Sequence, residues 1–173
     1  MRLALALMLL PALAVAQEPD GFRMAQYRAP VPETLSGATV VSAQDAHALW
    51  QQGAAFIDVL PRPPKPDTLP EGTIWREEPR QSIPGATWLP NVGYGEIAEV
   101  TDAYFRAGLD HATGGDRARQ LVIFCLDDCW MSWNAAKRAL GYGYSAVAWM
   151  PTGTDGWSAE DYPTEQLHPW HPG

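Results

Sequence analysis

Residues Leu121–Leu140 read LVIFCLDDCWMSWNAAKRAL, and the reading of this stretch decides the fold. Leu121–Phe124 is a short apolar run with the length of a buried strand. Cys125 stands where that strand stops. From Ser132 the pattern changes. Trp133, Ala136 and Leu140 fall at three- and four-residue spacings, which predicts a helix, with Lys137 and Arg138 near its C-terminal end and facing solvent, where they suit the helix dipole. Cys125–Met131 is the tight loop between the two. In an open α/β sheet, a strand end beneath the next helix N-terminus is where a reactive group usually lies. Both cysteines of the chain are in this loop. Trp130 and Trp133 read first as packing, and Trp130, being in the loop itself, is the one with a claim to binding.

On the N-terminal side, Ala38–Val41 is a strand candidate. Ser42 then caps a helix over Ala43–Gln52, with Asp45 in its first turn and Gly53 as its stop. Ala55–Val59 is a second buried strand, ending at Asp58. Leu60–Ser82 holds Pro61, Pro63, Pro64, Pro66, Pro70 and Pro79, which leaves no room for a regular element. A structureless segment of that length is often functional, and Trp75 is its candidate lid or anchor. A short strand is expected at Ala86–Leu89, a glycine turn at Asn91–Gly95 and a helix over Glu96–His111. C-terminal to the central stretch, Ser145–Trp149 is the last strand, Pro151–Trp157 a loop and the terminus a mobile tail. Strands thus alternate with helices or long crossovers. That predicts an α/β domain, a central parallel sheet of about five strands with helices on both faces. Loops at the carboxyl ends of parallel strands share one rim, so Asp58, Cys125–Met131 and the loop bearing Asp155 should meet.

The chain has 173 residues, enough for one domain with a sizeable core. The expected organisation is a cleaved signal peptide over 1–16, an irregular segment over 17–37, the folded domain over 38–162 with its proline-rich insertion at 60–82, and the tail over 163–173. The leader rests on Arg2, the apolar run Leu3–Leu10 and the A-x-A site Ala14–Ala16. Its apolar run is short for a membrane span, and no membrane insertion of the mature chain is expected. Export places the cysteines where a disulfide can form. Net charge is −8, and loss of Arg2 with the leader makes it more negative. An acidic chain disfavours nucleic acid and anionic membranes as partners.

The order of IDV at Ile57–Val59, IPGATWLP at Ile83–Pro90, the strand–Cys–loop–helix unit at Cys125, GYGYSAVAW at Gly141–Trp149 and a glycine-bearing segment before Trp157 resembles the rhodanese-like fold. YRAPVP at Tyr27–Pro32, WLPNVGYGE at Trp88–Glu96, CWMSWNAAKRAL at Cys129–Leu140 and GTDGW at Gly153–Trp157 more closely resemble the exported PQQ-dependent catabolism-associated CXXCW motif family. This resemblance covers nearly all of the mature chain. It implies a periplasmic rhodanese-like domain linked to alcohol oxidation by PQQ dehydrogenases and their cytochrome c acceptors, with a protein partner from that system. Two departures matter. Three residues, Leu126, Asp127 and Asp128, separate the cysteines instead of two. A sulfur-transferring loop of the C-R-x-G-x-[RT]-S type would also have Arg where Leu126 stands and Gly where Asp128 stands.

Three chemistries follow from these residues. The first is dithiol–disulfide exchange between Cys125 and Cys129, one thiol attacking a partner and the other resolving the mixed disulfide. Cys129, nearer the helix N-terminus, suits the lower pKa and Cys125 the buried role, with the reverse assignment open. The second is sulfur transfer through a Cys125 persulfide, as in a rhodanese-type sulfurtransferase. Asp127 and Asp128 oppose it, since like charges raise a thiol pKa and repel anionic sulfur donors. The third is Cu(I) held by both thiolates near Met131, with His111, His168 or His171 as a further ligand. A binding module without turnover, presenting the proline loop and Trp75, is the non-enzymatic alternative, and a purely structural disulfide is compatible with export alone. No cofactor and no resident metal are expected. Cys125 and Cys129 are the candidate catalytic residues; Asp127, Asp128, Trp130, Asp58 and Asp155 are the candidate binding residues.

Overall fold

The structure is a computed structural model that describes residues 17–63, 65–75 and 79–172. The expected leader at 1–16 lies outside them. In chain order the elements are β1 (Thr39–Val40), α1 (Ala43–Gln51), β2 (Ala55–Asp58), β3 (Arg80–Ser82), β4 (Thr87–Trp88), α2 (Glu99–Thr113), β5 (Leu121–Phe124), α3 (Trp130–Gly141), β6 (Val147–Met150), α4 (Gly153–Ala159) and β7 (Glu165–Leu167). Five strands form one sheet in the order β1-β6-β5-β2-β4, all parallel. The cysteine-bearing strand is therefore central. Ile123 of β5 is paired with Ile57 on one side and Trp149 on the other.

Every residue of β2, β5 and β6 is buried. This is why they read as apolar runs without polar alternation: a parallel sheet covered on both faces has no wet side. Alternate residues enter two cores. Leu121, Ile123 and Cys125 join Phe105 and Leu109 of α2 and Trp133 and Ala136 of α3. Val122 and Phe124 join Ala46 of α1 and Trp157 of α4. Two helices thus lie on each face, as the alternating pattern predicts. Ser42 and Asp45 form a full capping box on α1, and Gly114 ends α2 in the left-handed conformation at φ 67°.

Several expectations need correction. The helix expected from Ser132 begins at Trp130, directly after Cys129. Lys137 and Arg138 do not simply face solvent. Arg138 is buried and donates to the carbonyls of Val92, Tyr94 and Gly95, while Lys137 donates to those of Pro19 and Asp20. Both satisfy carbonyls of irregular segments laid over α3, which would otherwise lack donors. The Pro151–Trp157 loop is largely helix α4. Its two glycines hide the helical pattern, and the Trp157 indole fixes it by donating to Pro163 O at 2.7 Å. The segment expected to be a mobile tail is docked: β7 pairs antiparallel with β3, and Trp170 N–H donates to Trp88 O at 2.9 Å. The proline-rich segment therefore ends in a strand rather than continuing as loop to Ser82.

Gly93 shows how closely the covering turn approaches α3. A Cβ there would lie 2.7 Å from Met131 Cα, and the contact is with helix backbone, which cannot rotate away. Gly93→Ala should lower stability by about 1–3 kcal/mol, read as a shift in the denaturation midpoint with an unchanged slope.

Candidate functional site

Cys125 follows the last residue of β5, and Cys129 is the N-cap of α3 with φ −114° and ψ 104°. They are joined in a disulfide, with Cα atoms 6.2 Å apart, inside the span that a disulfide bridges. Cys125 is 0 % and Cys129 1 % exposed. The loop between them is outside the core: Asp127 and Asp128 are exposed, and Asp128 takes a positive φ of 49°.

The loop is fastened from two sides. From the sheet side, Cys125 O accepts from Thr154 N at 3.0 Å and from Arg80 Nη2 at 3.4 Å. Gly153 lies against that carbonyl; a Cβ at Gly153 would be 2.5 Å from it. From the other side comes the N-terminal segment. Ala29 N–H donates to Asp128 O at 3.1 Å and Trp130 N–H donates to Tyr27 O at 2.9 Å, so Arg28 and Cys129 form an isolated antiparallel bridge.

Contacts within the chain occupy four of the amides at this turn. Asp127 N–H donates to Asp155 Oδ2 at 2.9 Å and Asp128 N–H to Asp127 Oδ1 at 3.1 Å. Trp130 N–H is on Tyr27, and Ser132 N–H is on Cys129 O at 3.3 Å. Four loop and helix amides are thus satisfied from within the chain, two of them by carboxylates.

Of the candidate binding residues, the structure brings Asp127, Asp128 and Asp155 together on the exposed rim. Asp58 stands as a turn cap, the role that its place at a strand end favours over contact with the site. Asp58 is 0 % exposed; it accepts from Leu60 N–H at 2.9 Å, Arg80 Nε at 2.7 Å and Ser82 Oγ at 2.5 Å, so it holds a turn and a buried cation and has no reach to a ligand. Burial pushes the Asp58 carboxyl up, against the opposing pull of Arg80, Ser82 and Leu60. Trp130 packs, as its first reading has it. It is buried, its Nε1 donates to Pro30 O at 3.1 Å, and Arg23 lies 5.0 Å over its ring. It holds the covering segment down.

His111 is stacked on Trp170 at 5.3 Å, and among the described residues no group of three or more His, Cys, Asp and Glu side chains gathers. Trp75 in the proline loop is half-buried.

Sequence reasoning missed Arg80, Thr154 and Asn134. Arg80 and Thr154 act through main-chain or long-range contacts that leave no local pattern. The prolines of residues 17–37 read as an irregular segment lying across the domain surface, but gave no sign that it crosses the cysteine loop.

No protein-family model matches the chain, and no curated protein sequence matches it. Among solved structures it is similar to the polysulfide-sulfur transferase homodimer of Wolinella succinogenes, at 17% identity over 75% of this chain and 80% of that one, with a TM-score of 0.48. It is similar to a rhodanese-like domain from Anabaena, at 16% identity over 77% and 81%, TM-score 0.47. An uncharacterized protein from Saccharomyces cerevisiae is similar at 20% identity over 72% and 94%, TM-score 0.45. At this level of likeness no activity passes from these proteins to this chain.

The Asp58–Arg80 pair supplies a test of the loop's lower fastening. Asp58→Asn leaves Arg80 buried without its counter-charge and should cost about 3–5 kcal/mol. Adding Arg80→Met should recover part of that loss, measured by chemical denaturation of the single and double variants.

Proposed function

We propose that this chain is a rhodanese-like thiol protein whose Cys125 and Cys129 cycle between disulfide and dithiol against a protein partner. The observation that carries this reading is the bridged pair at the strand-to-helix turn, beside which the amides of Asp127, Asp128, Trp130 and Ser132 are already occupied. An anionic sulfur donor would need those amides and a basic side chain in the loop; here it meets Asp127, Asp128 and Asp155 on the rim. Sulfur transfer through a Cys125 persulfide is therefore the weaker use of the same scaffold. In the cycle, a partner thiolate attacks one sulfur, the Cys125–Cys129 bond breaks with its electron pair leaving on the other sulfur, and a second partner thiol resolves the mixed disulfide. The partner dithiol is oxidised to a disulfide and the pair here is reduced. A helix N-terminus at Cys129 favours a thiolate there.

The setting we propose is the periplasm, with an accessory role in PQQ-dependent alcohol oxidation. The support for it is the leader-like start and the motif resemblance at Trp88–Glu96 and Cys129–Leu140. A second reading is favoured by the burial of both sulfurs: a structural disulfide in a module that only binds.

Single variants separate the two. Cys125→Ser or Cys129→Ser should trap a mixed disulfide with a partner in periplasmic extract, visible as a reductant-sensitive band and identifiable by mass. Failure of both variants to trap any protein, with the fold intact, would leave the structural disulfide.

A further inference from the structure

The segment over the disulfide is built differently from the rest of the molecule. From Gln17 to Val31 no residue is buried and no helix or strand forms; the first buried residues are Pro32 and Leu35. Tyr27, Ala29 and Val31 pack against the core only in part, and the rest of its attachment is largely through hydrogen bonds, most of them to α3 and the cysteine loop. Asn134 accepts from Arg23 N–H and donates to Arg23 O, both at 2.9 Å. Lys137 holds Pro19 O at 3.0 Å and Asp20 O at 2.7 Å. The Tyr27–Trp130 and Ala29–Asp128 bonds bracket Cys129. Two non-glycine residues take positive φ at this crossing, Gln26 at 51° and Asp128 at 49°, a conformation that persists only where surrounding contacts hold it. A segment with no fully buried residue opens at lower free energy than a core strand. The segment pairs with the backbone at Cys129, and both cysteines are almost unexposed.

We infer that residues 17–31 are a hinged gate over the Cys125–Cys129 bond, fixed at Pro32–Leu35, and that Cys129 Sγ is the atom an incoming thiolate reaches when the gate lifts. Cys129 is the cysteine whose own backbone the segment pairs with, whereas Cys125 is tied by its carbonyl to Arg80 and Thr154 on the sheet side. The inference rests on the dithiol–disulfide reading and adds its regulation: a partner that displaces the segment gains the disulfide, and one that does not is refused. Attack on Cys129 breaks the sulfur–sulfur bond, and its electron pair leaves on Cys125 Sγ, which then takes a proton. The incoming dithiol reductant supplies the electrons and ends as a disulfide.

The test is the rate of reduction by dithiothreitol over a wide concentration range, quenched by alkylation and read by intact mass. A gate predicts a rate that rises and then levels off at the opening rate, with the amides of Ala29 and Trp130, which bond across the crossing, exchanging hydrogen on the same timescale. Asn134→Ser and, as a milder variant, Lys137→Met should each raise the plateau, by about tenfold for the former; Lys137→Met should do so without changing the global unfolding rate from denaturant jumps, whereas Asn134 also holds Gly93 O at 2.9 Å. A rate linear in dithiothreitol at all concentrations would overturn the gate while leaving the redox reading intact. A plateau equal to the global unfolding rate and unmoved by either variant would also overturn it, by placing the disulfide inside the core unit. Absence of a trapped partner with the plateau preserved would sink the redox reading alone.

Discussion

Helix α3 is the constraint from which the rest follows. Trp130, Met131, Ser132, Trp133, Asn134, Ala135, Ala136, Arg138 and Ala139 are all buried. A helix buried on nearly every side cannot rest on one sheet face alone; something must cover its back. The sheet takes Trp133 and Ala136. The turn around Gly93 takes the next side, so close that no Cβ fits. Residues 17–31 take the last. Each covering piece is irregular backbone with carbonyls to satisfy, and α3 supplies the donors: Arg138 and Asn134 to the turn, and Asn134, Lys137, Trp130 and Trp133 to the N-terminal segment. The two cysteines sit at the end of this enclosed helix, and their burial is a by-product of its enclosure.

Much of this was legible in the chain itself, for reasons that can be named. β2, β5 and β6 lie in a sheet covered on both faces, so their apolar runs were unmistakable. α1 carried a capping box at Ser42 and Asp45. The strand–loop–helix unit at Cys125 placed both sulfurs within bridging range. The failures share a cause. β3 and β7 are three residues each, too short for alternation to show, and their pairing joins chain segments far apart. α4 has seven residues, two of them glycine, so its propensity argued for loop and only the buried Trp157 holds it. Asp58 looked like a rim residue because its strand ends there; its partner Arg80 lies across a proline-rich stretch with no local signal.

The same geometry shapes the chemistry. A cradle for a small anion needs free amides and a positive charge. Here the amides of Asp127, Asp128, Trp130 and Ser132 are filled, and the arginine beneath the loop, Arg80, is spent on Asp58. What is left at the site is a sulfur–sulfur bond with three exposed carboxylates beside it. Such a rim suits a protein surface better than thiosulfate, and the weakly anchored cover above the bond makes access conditional.

The central claim is that the Cys125–Cys129 pair turns over, and its reduction potential measures that most directly. Equilibration of the purified protein against glutathione or dithiothreitol buffers, with the thiols alkylated and counted by mass, gives the value. The account predicts a potential more oxidising than about −250 mV, in the range of exchanging dithiols. A value below about −300 mV, typical of structural disulfides, would contradict it.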